Sequence, residues 1–284
     1  MDTNGRVVVG YDGSREAGQA VRWAAYHAQA RRCGLHLVHC SLWPEVADAA
    51  TPVTGGADPA TKHSAETIVA EGVATIRGVA PGLELTTSLV YGWPAENLRK
   101  LSSRAALLVV GSRGMGGFMG LLVGSVSLEL AATAVCPVAV IRQPGQPGGP
   151  VMVGISNEYW EGVVGQAALF ASVMGAALRI VHVIGRAESQ SPKHVAAARE
   201  TLASAVRSVG NTWPELRIEE LLLTGVSVAG TLLAAADHAQ MVVVGSSARG
   251  TILASIGSSA HAVLHHAGCP VLVIRQVTGQ TLGS

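Results

Sequence analysis

Four short apolar segments occur twice in this chain, in the same order. VVVG at 7–10 returns as VMVG at 151–154, and LHLVHC at 35–40 returns as LRIVHV at 178–183. ALLVVGS at 106–112 returns as QMVVVGS at 240–246, and CPVAVIR at 136–142 as CPVLVIR at 269–275. Partners lie roughly 133 to 144 residues apart, so one structural unit has been built twice. The 284 residues suffice for two domains with sizeable cores. Between the copies stands QPGQPGGP, residues 143–150, which can continue neither helix nor sheet and reads as a linker. The expected domains are therefore 1–146 and 147–284.

Each copy alternates strand and helix patterns. In the first, RVVVG is a short apolar strand. Ser14 can cap the helix that carries Ala17, Ala20, Val21, Ala24 and Ala25. LHLVHC is a second strand, followed by a polar loop over 48–62 and a helix near 63–80. LELTTSLV at 83–90 is a third strand, and Pro94 suits the first turn of the next helix. ALLVVG is the fourth strand, a glycine-rich loop leads to a helix from Ser125, and CPVAVI is the fifth strand. The strands read as continuous apolar runs, as helices on both faces of a parallel sheet require. The expected fold class is α/β, with two tandem doubly wound domains.

The loop after the fourth strand, GSRGMGGFMGLLVGSVS at 111–127, holds six glycines. Glycine permits positive φ and lets backbone N–H groups approach a ligand. The loop feeds a helix whose free N–H groups and dipole favour an anion, so phosphate is the natural ligand. The spacing Gly111-x2-Gly114-x9-Gly124-Ser125 resembles the phosphate-binding pattern of the universal stress protein family. VGYDGS near the N-terminus and the flanking strands are similar to that family too, and the resemblance covers both halves.

The resemblance implies a five-stranded parallel sheet in order 3-2-1-4-5, with the ligand between strands 1 and 4 beyond their carboxyl ends. It implies ATP as cofactor, alone or with Mg2+. Asp12 would accept hydrogen bonds from the nucleoside, Gly10 and Tyr11 would line the adenine side, and Cys40 would offer backbone contacts. Gly111, Gly114, Gly124, Ser125 and Ser127 would cradle the phosphates, with Arg113 adding charge. Asp12 also has a purely structural reading, as a cap of the first helix shared with Ser14.

The second copy departs from the pattern. Ser156 and Asn157 stand where the first has Asp12 and Gly13, Ala248 stands for Gly114, and eight residues rather than nine separate Ala248 from Gly257. The first lobe is expected to bind ATP, and the second weakly or not at all.

Other constellations carry less. His39 and His182 recur at the end of strand 2 and read as packed histidines bonded to backbone. His261 and His265 lie one helical turn apart, but no third ligand is evident, so no metal site is expected. Cys136 and Cys269 read as small buried residues. There is no G-x-x-x-x-G-K-[ST], no G-x-S-x-G elbow, and no lysine in the glycine loop. The net charge of +1 and the scattered tryptophans argue against nucleic acid, and no run of ~20 apolar residues argues for a membrane. MDTNGRVVVG lacks the layout of a signal peptide, and no C-x-x-C occurs, which point to the cytoplasm. The expectation is a cytoplasmic ATP-binding stress-response protein, not an enzyme, forming a homodimer and acting on a protein partner of unstated identity. A slow ATPase or phosphoryl or adenylyl transferase, and a ligand-free dimerisation scaffold, are the rival readings.

Overall fold

The apolar runs become strands because helices bury them from both sides. In the computed structural model, which describes residues 5–42, 59–115, 122–247 and 256–276, Val7, Val8, Val9, Leu107, Leu108 and Val109 have no exposed surface. The chain divides into two units, Met1–Arg142 and Gln143–Ser284.

The first unit runs β1 (Val7–Gly10), α1 (Arg15–Ala30), β2 (Leu35–Ser41), α2 (Pro59–Val79), β3 (Leu85–Tyr91), α3 (Pro94–Ser102), β4 (Leu107–Gly111), α4 (Ser125–Thr133) and β5 (Val138–Ile141). Its strands are parallel, in the order β3-β2-β1-β4-β5. The second unit runs β6 (Val151–Ile155), α5 (Glu161–Met174), β7 (Leu178–Gly185), α6 (Arg186–Ser189), α7 (Pro192–Thr212), β8 (Ile218–Gly225), α8 (Val228–Ala235), β9 (Met241–Ser247), α9 (Ser258–His266) and β10 (Val271–Gln276). Its order is β8-β7-β6-β9-β10, the same topology read in its own strands.

Small residues set how closely the helices approach the sheet. The buried face of α1 is Ala17, Ala20, Val21, Ala24, Ala25 and Ala28. Gly72 of α2 lies over the Leu37 and Tyr11 side chains, where an added Cβ would stand 2.6 and 2.8 Å from them. Gly10 ends β1 under Leu98 of α3, and Gly154 sits under Leu232 of α8, with the added Cβ at 3.1 and 3.0 Å respectively.

Three expectations shift. β3 is half exposed, not a fully apolar run: it ends the sheet order, and its Thr86 and Ser88 hydroxyls bond the two nitrogens of the buried His36 at 2.8 and 3.0 Å. The second helix starts at Pro59, inside the stretch read as loop, and residues 43–58 lie outside the described residues. Segment 143–150 is held by the second unit, with Gln146 N donating to Ala239 O at 3.1 Å and Gln240 N to Pro150 O at 2.9 Å. At Gly145 and Gly149 this segment passes so close to backbone at 238–240 that no Cβ would fit.

His27 of α1 is 5% exposed and stacks on Trp23 at 4.9 Å between ring centroids. Burial, aided by the Arg31 charge, pushes its pKa down to about 3 from 6.5. The unfolded chain then takes up a proton that the folded helix refuses. The stability held at neutral pH should fall as pH drops from about 6.5 towards 3, by at most about 1.4 kcal/mol per pH unit from this group. His27→Leu should show a smaller fall in urea midpoint between pH 7 and 5 than the parent chain. At Gly72, alanine should cost about 1–3 kcal/mol by overpacking. Gly165→Ala in α5, where an added Cβ meets nothing within 4 Å, should instead stabilise by about 0.5–1 kcal/mol. Denaturation midpoints of the two variants check both signs.

Candidate functional site

The turn from β1 into α1 is built by Asp12, Gly13 and Ser14. Gly13 takes φ +86°, which favours glycine. Asp12 Oδ1 accepts from Ser14 N at 3.0 Å, and Ser14 Oγ caps α1 by accepting from Ala17 N at 3.2 Å. The other Asp12 oxygen, Oδ2, accepts from Met115 N at 2.9 Å. One half-buried carboxylate thus ties the loop after β1 to the loop after β4. Ser14 Oγ adds a longer bond of 3.4 Å to Arg113 O.

The glycines of the second loop have distinct reasons. Gly111 is pressed against the first turn of α1, where an added Cβ would meet the Glu16 carbonyl carbon and Ala17 N at 2.8 Å. An added Cβ on Gly114 would collide with Asp12 Oδ2. Neither has positive φ; close approach, not a left-handed backbone, is what excludes a side chain there. Gly124 is the N-cap of α4 at φ −78°, and its N–H donates to Ser112 O at 2.7 Å. No side chain caps α4 and no acid lies in its first turn, so its dipole and N-terminal donors favour an anion. Ser125 opens the helix and is exposed. Residues 116–121 lie outside the described residues, and with them Gly116, Gly117 and Gly120.

Charge at this end comes from both signs. Arg113 Nη2 pairs with Glu16 Oε1 at 2.5 Å, and this bond holds the Glu16 carboxyl below the usual carboxylate range. Arg142, directly after β5, donates from Nη2 to Leu122 O at 2.8 Å, two residues before the α4 cap. Burial and the neighbouring Arg113 charge lower its pKa. Neither Arg142 nor Glu16 belongs to the glycine pattern or to the turn after the first strand. The sequence carries a signal for the first: arginine ends the fifth-strand segment in both copies, as Arg142 and Arg275.

Asp12, Arg113, Gly114 and Gly124 are thus brought to one place, with Ser125 beside the last. Other candidates are turned inward. Tyr11 is 8% exposed, its ring lies beneath Gly72, and its hydroxyl is pushed up chiefly by burial. Its backbone N donates to Val38 O at 2.9 Å, and its carbonyl bonds His39 Nδ1 at 2.8 Å. Ser127 is buried and donates to Gly111 O at 2.7 Å, pinning α4 to the end of β4. Cys40 is the penultimate residue of β2, in register with Val90, and burial pushes its thiol up to about 11. Gly10 faces Leu98.

The corresponding place in the second unit is differently made. Ser156 Oγ donates to Glu158 O at 3.0 Å, and Asn157 Oδ1 accepts from Thr201 of α7 at 3.2 Å. Gly257 caps α9 at φ +78°, against −78° for Gly124, so the chain enters the two helices along different paths. Ala248 falls within 248–255, outside the described residues. His182 Nδ1 bonds the carbonyl of Ala198 at 3.3 Å. Cys136 and Cys269 are buried, with thiols pushed up to about 12 and about 11. His261 and His265 rings stand 4.5 Å apart, and among the described residues no group of three His, Cys, Asp or Glu could hold a metal. Among those residues no helix is long and apolar enough to cross a membrane.

The universal stress protein family matches residues 3–142 and again 149–275. A universal stress protein of Mycobacterium tuberculosis is 32% identical over 291 residues, covering 95% of this chain and 97% of that protein. One from Mycolicibacterium smegmatis is 30% identical over 286 residues, covering 95% and 96%. The crystal structure of a universal stress protein from Archaeoglobus fulgidus shares the fold at 17% identity, with a TM-score of 0.71 over 97% of this chain and 99% of that one. The match recurs once per unit, and the chain belongs to the universal stress protein family as a tandem two-domain member.

Proposed function

We propose that the first lobe binds ATP in the crevice between the loops after β1 and β4, and that the protein acts in stress signalling through partners rather than by turnover. The observation that carries this reading is the Asp12 carboxylate, which stands in both loops at once, close to Arg113, Gly114 and the uncapped N-terminus of α4. An ionised carboxylate offers about four lone-pair sites, and two are taken by backbone N–H groups, so ribose hydroxyls can use the rest. Phosphates would lie at the α4 N-terminus and beside Arg113 and Arg142. Any Mg2+ would arrive on the phosphates and keep several waters, as it commonly does.

The second lobe has Ser156 in place of Asp12 and Ser247 in place of Arg113, and Asn157 is bonded to α7. It is read as a weak site or none. The chain is read as cytoplasmic, and a homodimer is the expected assembly. Copurified nucleotide would count against a ligand-free scaffold.

Calorimetry should find one ATP site per chain. Asp12→Ala should weaken it by roughly 10–100-fold, the worth of hydrogen bonds to a charged group. Gly114→Ala should do the same by driving a methyl into that carboxylate. Asn157→Ala should change nothing. Two equivalent sites per chain would refute the unequal-lobe reading, and no site would refute ATP binding. Turnover is a separate measurement: with no lysine in the glycine loop and Arg113 paired, kcat for ATP should stay below ~1 s⁻¹. A faster rate would favour the transferase reading.

A further inference from the structure

Glu16 is the one acid in the first turn of α1, and its carboxylate has been drawn across to the phosphate loop. The approach is enforced by packing. Gly111 has no side chain, so the Glu16 and Ala17 backbone lies directly on the end of β4. Arg113 follows two residues later, and the two side chains meet in an ion pair. Glu16 is 18% exposed in that pair and Arg113 43%. Arg142 brings another guanidinium to the same loop from β5, and the Arg15 charge also acts on Glu16.

We infer that Glu16 is a specificity-determining residue of the nucleotide site, whose carboxylate on Arg113 penalises each added phosphate and narrows the affinity gap between ATP and AMP. The inference rests on the nucleotide reading above. A phosphate chain entering at α4 must share Arg113 with Glu16 or displace it. In either case the carboxylate repels the incoming anion over a short, partly dehydrated distance, and the repulsion grows with the charge brought in. Adenosine brings none and should not register Glu16. The opposite role is also physical: Glu16 could hold Arg113 ready for phosphate, and its loss would then weaken ATP.

The two roles predict opposite signs for Glu16→Gln, which removes the charge and keeps the side-chain length. Calorimetry on the full chain with adenosine, AMP and ATP reads them. The expected result is unchanged adenosine affinity and an ATP-over-AMP preference raised about two- to fivefold, the scale of one partly screened charge pair. The increase should shrink as salt is added. An unchanged or lowered ATP/AMP ratio, or a parallel change for all three ligands, overturns the inference while leaving nucleotide binding in place. A parent chain that binds none of the three overturns the nucleotide reading, and this inference with it.

Discussion

The parallel pairing of β1 with β4 is the contact on which the candidate site depends. Val7, Val8 and Val9 lie in register with Leu107, Leu108 and Val109, one hundred residues further along the chain. Because β1 also pairs with β2 and β4 with β5, the chain leaves the neighbouring ends of β1 and β4 in opposite directions. A crevice must open between the two exits. Asp12 and the glycine loop are neighbours for this reason alone. Their contact is a consequence of strand order, and the six buried residues of that register hold it.

Within the crevice, Asp12 and the glycines each already have a structural task. Asp12 completes the turn into α1 and holds Met115, so its geometry is set before any ligand arrives. A carboxylate already fixed by two backbone donors loses little freedom on accepting a third. The glycines divide the same way. Gly111 answers to α1, Gly114 to Asp12, and Gly124 to the entry of α4. One loop composition therefore serves packing, approach and capping together.

The repeat and the apolar runs made the fold legible, because sheet topology follows from alternation of strand and helix. The Ser14 cap was legible since it is local. Less legible was anything decided across the chain. Tyr11 reads as a ligand-side ring beside Asp12, but Gly72, on a distant helix, leaves the space that takes it inward. Ser127 reads as a phosphate donor until the Gly111 carbonyl claims its hydroxyl. Glu16 looks like an ordinary first-turn acid, and its partner stands 97 positions away. The polar edge of β3 could have been anticipated: Thr86 and Ser88 sit badly in a doubly covered strand. The pairing with His36 could not, as it depends on register.

Gly10 and Gly154 stand under equivalent leucines in the two units, each in a gap that a methyl group would crowd. This duty is indifferent to any ligand, so a duplicated lobe keeps the glycine after its crevice has changed. Retention of this glycine in both lobes therefore says nothing about whether either crevice takes a ligand. The two lobes differ instead at Asp12, which Ser156 replaces, and at Gly114, which Ala248 replaces, the pair whose close approach ties the loops after β1 and β4 together in the first lobe.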